Sequence, residues 1–221
     1  MSDQLDNEEK REVSGFNILV FKGMGRVDLV QGDHEELVIE AQPEIRSRIQ
    51  TTVENGTLLI DYNEDWKDWS GFRTLSGDKI RFRLMMREIT SLSLAGVGSL
   101  DSARIDSPAL SLSISGPGLL TIGTIKTNRL DASLAGVGSL DVAGFTDEAN
   151  ITLSGAGSYR ASRLQTLKTD IRLSGVGTAT LWAKDELNAS ISGAGVIEYY
   201  GSPRVSQSNT GLGMLKFMGN R

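Results

Sequence analysis

The stretch LSLAGVGSL at residues 92–100 returns as ASLAGVGSL at residues 132–140, and looser copies lie around both. Each copy holds a Gly-x-Gly triplet, and the first glycines of successive triplets are Gly96, Gly116, Gly136, Gly155, Gly175, Gly193 and Gly211. Their intervals of 20, 20, 19, 20, 18 and 18 residues give a period near 20, which is typical of solenoids. The repeats therefore predict one unit stacked many times.

Apolar and small polar residues alternate within each repeat, as they do in a β-strand with one buried face. Two residues before the first glycine stand Leu94, Ile114, Leu134, Leu153, Leu173 and Ile191. Four residues after it stand Leu100, Leu120, Leu140, Tyr159, Ala179, Ile197 and Leu215, and a third inward set comprises Ile105, Ile125, Phe145 and Leu164. Three inward segments per circuit, without a helical pattern, predict an all-β, single-stranded parallel β-helix (β-solenoid) with coils about 4.8 Å apart.

Two kinds of corner are predicted between these segments. The Gly-x-Gly triplet favours a sharp turn because glycine accepts positive φ, and because stacked backbones leave little room for a side chain. A second corner is predicted at Asp131, Asn150, Asp170 and Asn188, whose short side chains can bond the backbone two residues on. Both features favour a scaffolding role for the repeated phrase over a binding role.

The N-terminal section is less regular than the repeats. Asn55 and Gly56 stand between two alternating apolar runs, which predicts a type I′ hairpin. Residues 63–79 are polar and aromatic and predict an exposed loop, while residues 1–15 are rich in charge and predict a flexible tail. The expected organisation is therefore one domain over residues 16–221, with N-terminal coils, hairpin and loop in 16–90 and regular repeats in 91–221.

Composition excludes several classes of function. The net charge of −5 disfavours nucleic acid and anionic membrane surfaces, because phosphate binding needs clustered Lys and Arg. The chain has no cysteine, so disulfides, thiolate nucleophiles and Cys-ligated metals are excluded. No apolar run reaches the roughly 18 residues of a membrane span, and the charged N-terminus lacks the apolar segment of a signal peptide. Export and cytoplasmic retention both remain open.

The repeats predict no catalytic, cofactor or metal site. No triplet continues into the third glycine or the Lys-Ser/Thr of a nucleotide-binding loop. Asp101 and Asp141 are two coils apart, about 9.6 Å, which is too far to share a calcium ion. That separation suits an inverting glycosidase, so a polysaccharide-acting β-helix enzyme remains the alternative. His34 is the single histidine and is expected to be a solvated turn residue.

Residues that interrupt the small-residue pattern form the candidate contact surface. The loop at 63–79 contributes Trp66, Trp69, Phe72 and Arg73, and the repeats contribute Arg172, Trp182, Tyr199 and Tyr200. Aromatic residues and arginine are frequent anchors in binding surfaces. The loop also suits a cap over the open end of the solenoid, where bare edges would otherwise promote aggregation. Both interpretations stay open for the loop, and Trp182, Tyr199 and Tyr200 suit either as well.

The sequence resembles the auto-transporter adhesin head GIN family of bacterial envelope proteins over residues 16–219. The resemblance rests on FNILVFKGMGRVDLVQGD, TTVENGTLLIDY, the recurrent LSLAGVGSL, LSGAGS and LSGVGT phrases, and GSPRVSQSNTGLGML. It implies a right-handed parallel β-helix with an adhesive or scaffolding role at the envelope, binding a glycan or a protein at the cell surface. A homo-oligomer through the solenoid ends or faces, or a self-assembling bactofilin-like module, is a further alternative.

Overall fold

Stacked parallel coils about 20 residues apart make up the computed structural model, which describes residues 7–62 and 80–221. Strands account for 73% of the structure and helix for 2%, and the coils form a β-solenoid of about 6 turns. The predicted fold class is confirmed.

The elements follow one another in a single hydrogen-bonded sheet that winds around the core. In chain order they are β1 (Glu8–Arg11), β2 (Ile18–Phe21), β3 (Met24–Gln31), β4 (Glu36–Glu40), α1 (Pro43–Arg46), β5 (Ile49–Glu54), β6 (Thr57–Tyr62), β7 (Arg81–Met86), β8 (Ser91–Leu94), β9 (Val97–Asp106), β10 (Ala109–Ile114), β11 (Pro117–Leu134), β12 (Val137–Leu153), β13 (Ala156–Leu173), β14 (Val176–Ile191), β15 (Ala194–Tyr200), β16 (Arg204–Asn209) and β17 (Met214–Phe217).

Four long strands, β11 to β14, each travel around most of one coil. Each pairs in parallel with the next, and shifts in register divide it into straight segments. The register places Leu100, Leu120 and Leu140 in one interior ladder, and all three are fully buried. Burying a leucine side chain contributes about 1.5–3 kcal/mol, so the ladders supply much of the stability. The inward positions predicted before and after the glycine corner are confirmed.

The glycine corner is required by close stacking more than by unusual backbone angles. A Cβ on Gly138 would lie far inside contact distance of the Gly118 carbonyl oxygen, and Gly136 meets the Gly116 carbonyl in the same way. Within the triplets, positive φ occurs at Gly25 and Gly98 alone of the described residues. Positive φ is therefore the wrong reason for most of these glycines, and the second predicted reason, backbone proximity, is confirmed.

The second corner was predicted at the wrong residues. Asp131, Asn150 and Asp170 lie in register within straight strand segments. The chain instead turns at a buried ladder of hydroxyl residues, Ser107, Thr127, Thr146 and Thr166. Their hydroxyls bond nearby backbone carbonyls; that of Thr146, for instance, donates to the carbonyl of Glu148 at 2.9 Å. The repeated Ser or Thr in the sequence was the available signal, but each also suits a solvated turn.

Thr146→Val is expected to lower the free energy of unfolding by about 1 kcal/mol. Valine preserves the shape of the buried side chain but removes its hydrogen bond to the corner backbone. Urea unfolding followed by circular dichroism measures the change. The matched control is Thr152→Val on the exposed face of the same strand, which we expect to stay within about 0.5 kcal/mol of the wild type. Equal losses in the two variants would contradict a stabilising role for the hydroxyl ladder.

One predicted core residue, Phe145, faces the wrong way. It is 37% exposed, whereas Ile125 and Leu164 at the corresponding positions are buried. Gly144 takes the inward place, because β12 pairs Gly144 with Ile125 of β11 and with Leu164 of β13. This coil is one residue shorter than its neighbours, and the lost residue shifts the alternation by one position.

The N-terminal section confirms the predicted hairpin. Strands β5 and β6 pair antiparallel around Asn55 and Gly56, whose φ angles of 50° and 75° suit a type I′ turn. Strand β4 also pairs antiparallel with β7. The N-terminal section therefore combines antiparallel pairs with the parallel coils that follow.

The predicted flexible tail is wrong over residues 8–11. These residues form β1, which pairs antiparallel with β4. The charges that favoured disorder find partners there, because Lys10 forms an ion pair with Glu36 at 2.8 Å and Arg83 forms one with Glu8 at 3.1 Å. Residues 1–6 lie outside the described part of the chain.

Candidate functional site

A flat polar face precedes the glycine corner in every regular coil. We define the polar face by the outward residues of five neighbouring strands, which are Asp131, Ser133, Asn150, Thr152, Asp170, Arg172, Asn188, Ser190, Ser206 and Ser208. Neighbouring coils place equivalent side chains about 4.8 Å apart. Because β12, β13 and β14 are hydrogen-bonded on both sides in this region, the face presents its side chains from a rigid backbone.

Arg172 is the cation in the column of this face that otherwise holds Ser and Thr. Its neighbours in register are Thr152 and Ser190. The side chain is exposed and has no hydrogen-bond or ion-pair partner among residues 7–62 and 80–221. A guanidinium in this position is available to a ligand.

Elsewhere in the protein, arginines two residues from an aspartate form ion pairs with it. Arg129 contacts Asp131 at 2.9 Å, and its hydrogen bonds lower the pKa of the Asp131 carboxyl. Arg26 contacts Asp28 at 2.8 Å in the same arrangement. Arg172 also has an aspartate two residues away, Asp170, yet the two do not pair. The unpaired guanidinium is thus a local departure from the pattern of this chain.

A shallow depression of about 190 Å³ surrounds Arg172. Its lining residues are Asp170, Ile171, Arg172, Asn188, Ala189, Ser190, Ser206, Gln207 and Ser208. Ile171 and Ala189 are buried beneath it, so the groups on its outward side are a carboxylate, one amide, hydroxyls and the guanidinium. Gln207 is in register with Ala189 and therefore belongs to the inward column. The depression offers hydrogen-bond donors and acceptors and lacks an apolar pocket.

A column of alternating charge borders the polar face. In register from β11 to β16 it consists of Arg129, Glu148, Lys168, Glu186 and Arg204. Opposite charges on neighbouring strands attract, and Arg204 contacts Glu186 at 3.6 Å. Arg129 and Arg204 are thus paired, whereas Lys168 forms no ion pair with any residue that the structure describes.

Trp182, Tyr199 and Tyr200 lie away from Arg172, in the segments that follow the glycine corner. Trp182 is opposite Tyr200 in the next coil. The guanidinium of Arg221 lies 4.3 Å from the centre of the Tyr200 ring, and the Tyr199 ring lies 5.4 Å from that of Phe217. These tyrosines therefore hold the last coil in place. The other predicted contact residues, Trp66, Trp69, Phe72 and Arg73, lie outside the described residues.

The two carboxylates considered for glycoside hydrolysis each have an arginine partner. Asp101 and Asp141 flank Thr121 in register, as predicted, with Arg26 at 3.4 Å from Asp101 and Arg163 at 3.8 Å from Asp141. Arginine–aspartate pairs of this kind are common on protein surfaces. His34 is half exposed and lies 2.7 Å from Asp33.

A second cavity, a groove of about 480 Å³, runs beside the hydroxyl corner. The Gln31 amide crosses it, donating to the Asp106 carbonyl at 3.0 Å and accepting from the Asp106 N–H at 2.8 Å. These bonds tie β3 to β9, so Gln31 has a structural role. Across the described residues, no group of three or more His, Asp or Glu side chains is placed to hold a metal ion. In the same residues no helix is long and apolar enough to cross a membrane.

Comparison with known proteins supports both the fold and a family. The family model described as "Putative auto-transporter adhesin, head GIN domain" matches residues 15–203. No protein with a curated description matches the chain.

Solved structures share the fold at low sequence identity. A "putative adhesin" from Bacteroides fragilis is 24% identical with a TM-score of 0.90, and the match covers 96% of each chain. A "putative lipid binding protein" from Parabacteroides distasonis is 23% identical with a TM-score of 0.70, covering 96% of this chain and 97% of that one. A "putative adhesin" from Parabacteroides merdae is 17% identical with a TM-score of 0.68, covering 96% and 95%.

Proposed function

The chain belongs to the auto-transporter adhesin head GIN domain family, and from this premise we propose that it is a non-catalytic binding module of the bacterial cell envelope. The polar face is the contact surface, and its partner is a glycan or a protein at the cell surface.

The unpaired Arg172 on the rigid polar face carries this proposal. Binding is favoured when the contacting groups are already held in place, because little side-chain or loop ordering is then needed. Strand pairing between the coils holds the backbone of the polar face in place, and the neighbouring hydroxyl and amide groups can form hydrogen bonds with a partner. A cation among such groups is a typical anchor for a polar partner.

The same geometry favours binding over hydrolysis. A glycosidase keeps one carboxyl protonated and one charged on either side of the scissile bond. Asp101 and Asp141 instead each lie beside an arginine, at 3.4 Å and 3.8 Å, as in ordinary surface ion pairs.

Arg172→Ala is expected to weaken binding to glycan-array or purified surface-protein ligands by at least about tenfold. The matched control is Arg160→Ala, because Arg160 is also exposed on β13 but follows the glycine corner and lies outside the polar face. We expect the control to bind within about twofold of the wild type. Full binding by the Arg172 variant would remove the polar face from the proposal.

A polysaccharide panel tests the non-catalytic part separately. We expect no release of reducing sugar by the wild-type protein. Release that disappears in Asp101→Asn or Asp141→Asn would show that the protein is an enzyme and would overturn the proposal.

A further inference from the structure

Building on the proposed function, we infer that the depression around Arg172 binds a carboxylated sugar, as found in uronic-acid-containing glycans. The guanidinium holds the carboxylate, and the surrounding Asn188 amide and serine hydroxyls hold the ring hydroxyls.

The carboxylate preference follows from Arg172. A guanidinium matches a carboxylate with two parallel hydrogen bonds, which gives both strength and orientation. Arg172 is free to make them, since it has no partner within the described ranges. Thr152 and Ser190, its neighbours in register, are neutral, so no adjacent acid in that column competes with the ligand.

The preference for a sugar follows from the rest of the lining. Sugar hydroxyls both donate and accept, and the depression offers an acceptor in Asp170, both functions in Asn188, and hydroxyls in three serines. An acidic peptide would gain affinity from a free strand edge or an apolar pocket. At Arg172 itself neither is present, because β13 and β14 are paired on both sides and Ile171 and Ala189 are buried. A strand edge does lie two coils away at β16, which pairs only with β14 among the described strands, so an acidic peptide is the rival that the test includes.

The arrangement along β13 favours an oligomer over a single sugar. Lys168, Asp170 and Arg172 alternate in charge on the outward side of one strand. Four residues of strand span about 13 Å, so Lys168 offers a second cation to a later carboxylate of the same chain. Asp170 lies between them and repels a carboxylate, which restricts where the acidic groups sit.

Isothermal titration with trigalacturonate tests the inference, with its neutral methyl ester as a probe of identical ring hydroxyls. We expect trigalacturonate to bind at least about tenfold more tightly than the ester. Arg172→Gln should remove that difference, whereas Arg160→Gln should preserve it. Asp170→Asn should tighten trigalacturonate binding by about two- to fivefold, because a like charge is removed. Binding should weaken at about 1 M salt.

The outcomes separate this inference from the proposed function. Equal binding of the ester and the acid, lost in Arg172→Gln, would overturn the carboxylate preference and leave the polar face as the contact surface. Tighter binding of hexaglutamate than of trigalacturonate would overturn the sugar in favour of an acidic peptide. No binding of trigalacturonate would overturn the inference, and the glycan-array result would then decide the proposed function. Unchanged thermal unfolding of each exposed-residue variant excludes misfolding as the cause.

Discussion

Gly138→Ala is expected to destabilise the protein by at least about 3 kcal/mol, which is a large part of the 5–15 kcal/mol that stabilises a typical domain. Measured by urea unfolding, the variant should have a much lower midpoint, or should accumulate as insoluble protein during expression. Residues 135–139 around Gly138 are exposed or half-buried, so burial alone would not predict so large a loss of stability.

The reason is the spacing of the coils. A Cβ at position 138 would press on the Gly118 carbonyl, and a Cβ at position 157 would press on the Gly138 carbonyl. Moving one coil away from the next breaks strand pairing on both sides, because β12 is hydrogen-bonded to β11 and to β13. The clash is with backbone, which cannot rotate away as a side chain can.

Two controls separate the clash from other consequences of losing a glycine. A Cβ at Gly32 would meet the Met85 side chain, with Sδ at 2.6 Å, and that flexible group can move. A Cβ at Gly56 would meet the Asn17 Oδ1 at an ordinary contact distance of 3.6 Å, but φ is 75°, so Gly56→Ala isolates the cost of positive φ, about 1–2 kcal/mol. We expect Gly32→Ala to change stability by less than about 1 kcal/mol. A loss in Gly138→Ala no larger than in Gly56→Ala would contradict the stacking argument.

The winding of the fold could be predicted because its signals are local and repeated. The spacing of Gly96, Gly116 and Gly136 gives the length of a coil, and the leucines at fixed distances from them give its inward face. Phe145 shows where this approach fails. The loss of one residue from a coil can be absorbed at several positions, and the sequence does not indicate which one closes the ladder with the fewest lost hydrogen bonds.

The strand β1 and the site depend on contacts between distant residues. Glu8 and Lys10 suggest a solvated tail until Arg83 and Glu36 are placed beside them. Arg172 could be singled out as an interruption of the serine ladder. Its freedom could not be predicted, because an aspartate two residues from an arginine pairs with it at Arg129 but not at Arg172.

The free energy of unfolding is expected to fall steeply above pH 10, by about 2.7 kcal/mol per pH unit from two buried tyrosines together. Burial raises the pKa of Tyr62 to about 12, and burial also raises the pKa of Tyr159. An unfolded tyrosine loses its proton near pH 10 while the folded ones keep theirs. The unfolded state therefore binds fewer protons, so this stability is present in full below pH 10 and is lost as pH rises toward the folded pKa.

The double variant Tyr62→Phe with Tyr159→Phe isolates this effect, because all lysines and the two remaining tyrosines are common to both proteins. Urea unfolding at pH 7, 10 and 11, with tyrosinate absorbance as a second readout, should show a shallower loss in the variant. At pH 7 the changes should partly cancel. The Tyr62 hydroxyl donates to the Met24 carbonyl at 3.0 Å, and its removal costs about 1 kcal/mol. The buried Tyr159 hydroxyl has no partner in the described chain, so its removal relieves the penalty of burying an unpaired polar group and offsets part of that cost. Parallel loss of stability in the two proteins above pH 10 would show that neither tyrosine stays protonated in the folded state.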